Sequence, residues 1–333
     1  MLGKEHDERR GSILFLENEN GVRGFGDMPP FPGLSMETLA QARQQARAFF
    51  PRLHKKNIAK IKDINDALPG ELLPSVRFAI ESALLDLWAT ASGRTMAELF
   101  HPRPLARIRI NALLTDPAQT AEAIEGTIAA GYRAVKIKVG RGDIDAEAKM
   151  VNTVRRITPA VISIRLDANR AWSFDEALRF AAAIRDCEIE YIEEPLRNWR
   201  DLGRYHDATG LPTALDESLR DCLSSPPRGV AAFVIKPGVD GGVFDVIRLI
   251  KLARGKGIKP VLSSPFLSAV GLNMALNLAA AFISQHEVTG LGTFDFLQDD
   301  FLNSPIKVER GALDVAAFGR ALDLLRIEES GNE

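Results

Sequence analysis

In RAVKIKVGR, residues 133–141, Lys136 and Lys138 stand two apart in a run rich in β-branched side chains. On a strand, that spacing sends both ammonium groups off one face and leaves Val135, Ile137 and Val139 to pack on the other. Acids follow downstream: Asp167 with Asn169 in RLDAN, Glu193 and Glu194 in IEEP, Asp216 and Glu217 in ALDES, and then Lys236 in IKPG. A single polar residue at a strand end is ordinarily a solvated rim group. An ordered run of lysine, three acid sites and lysine is different, because converging carboxylates repel one another unless a cation joins them. An all-oxygen set favours a hard divalent ion, Mg²⁺ by default and Mn²⁺ second, and the lack of a nearby histidine speaks against zinc. A lysine kept from water beside other positive charge sheds its proton more readily and becomes a competent general base. Lys138 and Lys236 flank the acids and can address the two faces of a bound substrate. Schiff-base chemistry at either lysine would leave the three acids without a role.

Such a set needs strands that end at one place. From about residue 106 the chain alternates strand and helix signals. NALL (111–114), KIKV (136–139), SIRLDAN (163–169), EYIEEP (190–195), PTALDES (212–218), AFVIKPG (232–238), PVLSSP (260–265) and VTGLGT (288–293) recur with helical runs between most of them. One βα unit every roughly 20–30 residues, repeated eight times, favours a closed (β/α)8 barrel over an open doubly wound sheet, and no G-x-G-x-x-G follows a strand. In a barrel, catalytic groups come from the C-terminal strand ends: Lys136 and Lys138, Asp167 and Asn169, Glu193 or Glu194, Asp216 or Glu217, Lys236, Ser263 and Ser264, and Gly290 with Gly292. Neighbours on a strand point oppositely, so only one of each Glu193/Glu194 and Asp216/Glu217 pair is expected to face inward. Helix starts are expected at Asp116 with Pro117, near residue 143, and at Ser173 with Glu176 as a capping box.

Before residue 105 the pattern differs. A strand (SILFLEN, 12–18), a Gly/Pro-rich loop (GFGDMPPFPG, 24–33) and two helical stretches are expected, the second beginning at Pro74 and ending by Gly93. The division expected is residues 1–105 with the return of 306–333, and a barrel over 106–305. A net charge of −2 in 333 residues offers no footprint for nucleic acid or an anionic membrane. MLGKEHDERR has no apolar core of a signal peptide, and AVGLNMALNLAAAFI (269–283) is too short and interrupted to span a bilayer. With two cysteines in no metal or redox spacing, a soluble, cytoplasmic protein is expected.

KIK (136–138), RLDAN (165–169), IEEP (192–195), ALDES (214–218) and IKPGVDGG (235–242) together resemble the enolase superfamily, in its muconate-lactonising subgroup. Supported by RFAIESALLDLW, LSSPFLSAVGL (262–272) and GLGTFD (290–295), the chain is most similar there to the o-succinylbenzoate synthases, from about residue 12 onward. The resemblance implies an α/β fold: a TIM-like barrel under an α+β capping domain, whose loop at 24–33 covers the barrel mouth. It implies Asp167, Glu193 and Asp216 as Mg²⁺ ligands and Lys138 as the base removing a proton α to a carboxylate. Lys236 then stabilises the developing charge from the opposite face. Lys136, Arg165, Asn169, Ser263, Ser264, Gly290 and Gly292 would hold a small-molecule carboxylate substrate. The implied activity is a dehydration giving an aromatic product in menaquinone biosynthesis. N-succinylamino acid racemase, dipeptide epimerase and muconate cycloisomerase activities stay open beside it, as does a homo-oligomer.

Overall fold

The computed structural model describes residues 8–53, 58, 60–114, 121–297, 300–323 and 326. The chain starts with an antiparallel hairpin, β1 (Ser12–Glu17) and β2 (Arg23–Met28), in which Ser12 pairs with Met28 and Glu17 with Arg23. Its turn is closed by the Asn18 side chain, which accepts from the Asn20 and Val22 amides at 3.0 Å each. Three helices follow: α1 (Leu39–Leu53), the short α2 (Ile61–Ala67) and α3 (Pro74–Ala91).

Residues 24–28, expected within a glycine-rich loop, are the second strand. Gly24 and Gly26 share one face of β2 and let α3 lie directly on it. A methyl at Gly24 would fall on the backbone of Ala83 and Leu87, and one at Gly26 on the Ala79 carbonyl. Replacing Gly26 by alanine should therefore overpack a rigid contact and cost about 1–3 kcal/mol of stability or more. Urea denaturation checks this, and a midpoint equal to wild type would show that the strand can move away from the helix.

The barrel region begins with β3 (Arg107–Arg109) and runs through β4 (Ala112–Leu114), α4 (Ala121–Ala129), β5 (Ala134–Lys138), α5 (Ile144–Ile157), β6 (Ser163–Asp167) and α6 (Phe174–Ala183). It continues through β7 (Ile189–Glu193), α7 (Leu202–Thr209), β8 (Thr213–Leu215), α8 (Leu219–Cys222), β9 (Val230–Ile235), α9 (Val243–Gly255), β10 (Lys259–Leu262) and α10 (Ala269–Phe282). Strands β4 to β10 form one parallel sheet in chain order. The eighth stave is a single extended segment. Gly290 donates to the Leu262 carbonyl at 2.7 Å on one side, and Asn111 donates to the Thr289 carbonyl at 2.9 Å on the other, closing the barrel. Finally β11 (Ala312–Asp314) pairs antiparallel with β3, α11 (Val315–Arg320) follows, and Phe301 and Leu322 pack with Ile13, Phe15 and Phe25 of the first hairpin.

Val135, Ile137 and Val139 are buried against the helical shell, as are Ile164, Leu166 and Ile192 of the next strands. Inside the barrel a separate, smaller cluster holds Tyr191, Ala214, Ala232, Val234 and Val261. Asp143 caps α5, and Ser173 with Glu176 forms the capping box of α6. The expected cap at Asp116 and Pro117 lies outside the described residues. Glu81, on α3, pairs with Arg77 at 2.9 Å and accepts from the Phe244 amide of α9 at 3.1 Å, joining the N-terminal helices to the barrel. Among the described residues, no helix is long and apolar enough to cross a membrane.

Candidate active site

Lys138, Asp167 and Glu193 are the last residues of β5, β6 and β7, and the ladder sets them side by side: Lys138 opposite Asp167, Asp167 opposite Glu193. Asp216 follows β8 directly, Lys236 follows β9 and Ser263 follows β10. All of them, with Lys136, Asn169, Ser264, Gly290 and Gly292, line one cavity of about 120 Å³ at the C-terminal end of the barrel.

The Lys136 ammonium bridges Asp167 Oδ2 at 2.8 Å and Glu193 Oε2 at 2.7 Å. Lys138 pairs with Asp167 and donates to Asn169 Oδ1 at 2.7 Å, while Lys236 pairs with Asp216. Asn169 sits at φ +43°, a left-handed conformation that asparagine tolerates, and its amide group donates to Glu217 Oε1 at 3.2 Å. Beyond Lys138, the Glu147 carboxylate accepts the amides of Gly140, Arg141 and Gly142 at 2.7–3.0 Å and so fixes the loop leaving the strand.

The electrostatics separate the lysines. Burial lowers the Lys138 pKa below the usual lysine value, and the neighbouring Lys136 charge adds to that, against the pull of Asp167. Burial opposes charge at Lys136 and Lys236 as well, but there the acids win. Asp167 and Glu193 push Lys136 well above its usual value, and Asp216, Glu193 and Glu217 push Lys236 up. Among the acids, burial and the Asp167 charge raise Glu193 to about 8, burial raises Asp216 to about 6, and Lys136 with Lys138 holds Asp167 below its normal range despite burial. Lys136→Met removes a positive charge beside Lys138, so the protonated form of Lys138 becomes easier to keep and its pKa rises. The ascending limb of the rate against pH should move to higher pH in this variant; a limb that stays put or moves down would show that Lys136 does not tune Lys138.

Two expectations need correction. Both Asp216 and Glu217 line the cavity, because β8 stops at Leu215 and strand alternation no longer applies beyond it. Arg165 does not line it. Two residues below Asp167 on β6, its buried guanidinium donates to Glu190 at 2.7 Å and to the Val288 carbonyl at 2.9 Å, and lies 5.3 Å from the Tyr191 ring centre. These interactions occupy it within the barrel. In contrast, Glu193 faces the cavity and Glu194 turns away, fully buried at φ +42°. The Glu194 carboxylate accepts from the amides of Asp216 at 2.9 Å and Ser218 at 2.7 Å and from the Ser218 hydroxyl at 2.6 Å. It thereby shapes the turn carrying Asp216 and Glu217. Phe31, from the loop expected over the barrel mouth, lines the cavity together with Leu34, Asn111, Leu113, Pro265, Phe266 and Thr293, none of which was singled out as a site residue from the sequence.

As the side chains stand, no three acid, histidine or cysteine groups among the described residues converge closely enough to hold an ion, since the ammonium groups take the carboxylate oxygens. The donor set does fit a hard divalent cation: Asp167, Glu193 and Asp216 offer oxygen alone, and Glu193 Oε1 is buried with no hydrogen-bond partner.

A family model described as Enolase C-terminal domain-like matches residues 119–319, and one described as MenC, N-terminal domain, matches residues 1–87. The muconate lactonizing enzyme of Pseudomonas putida superposes with a TM-score of 0.81 at 24% identity, covering 95% of this chain and 92% of that one. The superposition shows a shared fold, and the family model, which covers more than half of the chain, shows that the chain belongs to the enolase superfamily. The o-succinylbenzoate synthase of Pasteurella multocida is 30% identical over 303 residues, covering 87% of this chain and 83% of that protein. Within the superfamily the chain therefore falls in the o-succinylbenzoate synthase family and is a lyase. Protein PHYLLO of Arabidopsis thaliana is also 30% identical, over 351 residues that take in 91% of this chain but 20% of that protein, so the chain spans about a fifth of its length.

Proposed function

We propose that this chain is an o-succinylbenzoate synthase, dehydrating a hydroxycyclohexadiene carboxylate to the aromatic product. The observation that carries this reading is the pairing of Lys138 and Lys236, four staves apart, with different acids in one cavity. Asp167, Glu193 and Asp216 would hold Mg²⁺, which when bound supplies positive charge to the substrate carboxylate as it gains electron density. A lysine base acting beside Mg²⁺ is an established pattern of the enolase superfamily, and this chain has the residues to follow it.

Lys138, lowered in pKa, takes the proton from the carbon α to the carboxylate, and the C–H electron pair moves into that carboxylate. Lys236, raised in pKa, keeps its proton and faces the developing negative charge. The pair then returns to form the ring double bond as the β C–O bond breaks. The leaving hydroxide takes the proton back from Lys138 and departs as water, and the ring is aromatic. Ser263, Ser264 and the backbone at Gly290 and Gly292 would hold the substrate's second carboxylate. Buried, unpaired Cys187 and Cys222 accord with a reducing cytoplasm.

The test is incubation of the protein and Mg²⁺ with the hydroxycyclohexadiene substrate, following formation of the aromatic ring by absorbance. Protein-dependent aromatisation at catalytic rates is expected; none, with a folded and metal-loaded enzyme, would refute the reading. The cross-cavity position of Lys236 supports a second reading, proton return to the opposite face of an N-succinylamino acid. Exchange of its α-proton in D₂O, run in parallel, reports that activity.

A further inference from the structure

We propose that Arg9 is a positioning residue for the roof of the active-site cavity, pinning two loops together so that Phe31 and Phe266 close over the lysines. The loop after β2 and the loop after β10 each send an aromatic ring into the cavity lining. The rings stack with centres 5.6 Å apart and planes at 22°, and Phe296 meets Phe266 edge-on at 6.0 Å. Arg9 lies behind the pair. Its guanidinium donates to the Pro29 carbonyl at 2.7 Å and the Pro30 carbonyl at 3.2 Å on one loop, and to the Phe266 carbonyl at 3.0 Å on the other. The same group sits 5.2 Å from the centre of the Phe31 ring.

Independent of these contacts, Phe266 has φ +57°, a left-handed backbone that a bulky side chain enters only when its surroundings impose it. The bond from Arg9 to the Phe266 carbonyl is such an imposition. A planar fork reaching three carbonyls on the two loops, besides that of neighbouring Arg10, suits arginine, whereas the ammonium of lysine is a compact point charge. Release of Arg9 would not detach the second loop altogether, because the Ser268 amide still donates to Asp27 at 2.9 Å. The expected result is local: the roof loosens while helix α10 and the barrel hold. Arg9 touches no reacting atom; it acts through Phe31 and Phe266.

The test compares wild type, Arg9→Met and Arg9→Lys, each loaded with Mg²⁺. Hydrogen exchange read by mass spectrometry, without substrate, should quicken in peptides covering 27–37 and 263–270 of Arg9→Met and stay at wild-type rates in the barrel strands. With the substrate of the proposed function, on which only this arm rests, KM should rise. The specificity constant should fall by about 10²-fold, the scale of a misplacement of roughly 1 Å. Guanidinium ion added at millimolar concentration should restore part of the loss in Arg9→Met, and Arg9→Lys should recover little. Unchanged exchange in the two loops overturns the proposal, as does faster exchange throughout the protein, which would make Arg9 a general stabiliser. Should wild type fail to turn over that substrate, the exchange result alone still decides the role of Arg9.

Discussion

Lys138→Ala is expected to lower turnover by about 10⁴-fold, the upper end of what a positioned general base contributes, while Mg²⁺ binding persists. The ammonium is buried and paired with Asp167, so no nearby lysine can replace it as base. Lys136 is two residues back on the same strand, held by Asp167 and Glu193 and pushed well above the usual lysine range. Lys236 stands on the far side of the barrel and is raised as well. Asp167 loses one of two ammonium partners in the variant and keeps the other, so the acids stay in place. Single-turnover kinetics with metal titration by calorimetry separates the two effects. Turnover within tenfold of wild type would remove Lys138 from the base role, and lost metal binding would show that the substitution damaged the acid cluster.

Asp216→Asn should weaken Mg²⁺ binding by at least about 100-fold. Groups that merely support metal ligands cost 10–100-fold when removed, so loss of a charged ligand should reach the top of that range. The substitution keeps shape and alters charge, and the turn around it is held by Glu194 through the Asp216 and Ser218 amides, which the asparagine retains. Circular dichroism should match wild type, and calorimetry should carry the difference. An unchanged Mg²⁺ affinity would mean that Asp216 serves only as the partner of Lys236.

What could be read from the chain was whatever depends on local spacing. Lys136, Lys138, Asp167 and Glu193 end regular strands, so alternation alone sets them on one wall, and register then brings them abreast. Alternation failed where the strand stopped: Glu217 faces inward beside Asp216 because both lie in a turn dictated by Glu194. Arg165 carried a family expectation, but its place depends on Glu190 and on the Val288 carbonyl, 123 residues away, which no local pattern reveals. Gly24 and Gly26 read as loop residues because the reason for them, the backbone of α3, lies more than fifty residues further on. The roof shares that origin, since Arg9 and Phe266, 257 residues apart, meet only when the N-terminal hairpin region is folded against the loop after β10.

The three lysines that hold Asp167, Glu193 and Asp216 have a further consequence. A carboxylate cluster supplied with its own counter-ions does not need a metal to keep it from flying apart. In a structural zinc site, by contrast, the binding energy is the folding energy, and a chelator denatures the protein. Here chelation is expected to silence the protein while its thermal unfolding midpoint barely moves. A cation held by these acids would then be a replaceable part, and stripping it and exchanging it for a paramagnetic ion such as Mn²⁺ is expected to leave the chain around it folded.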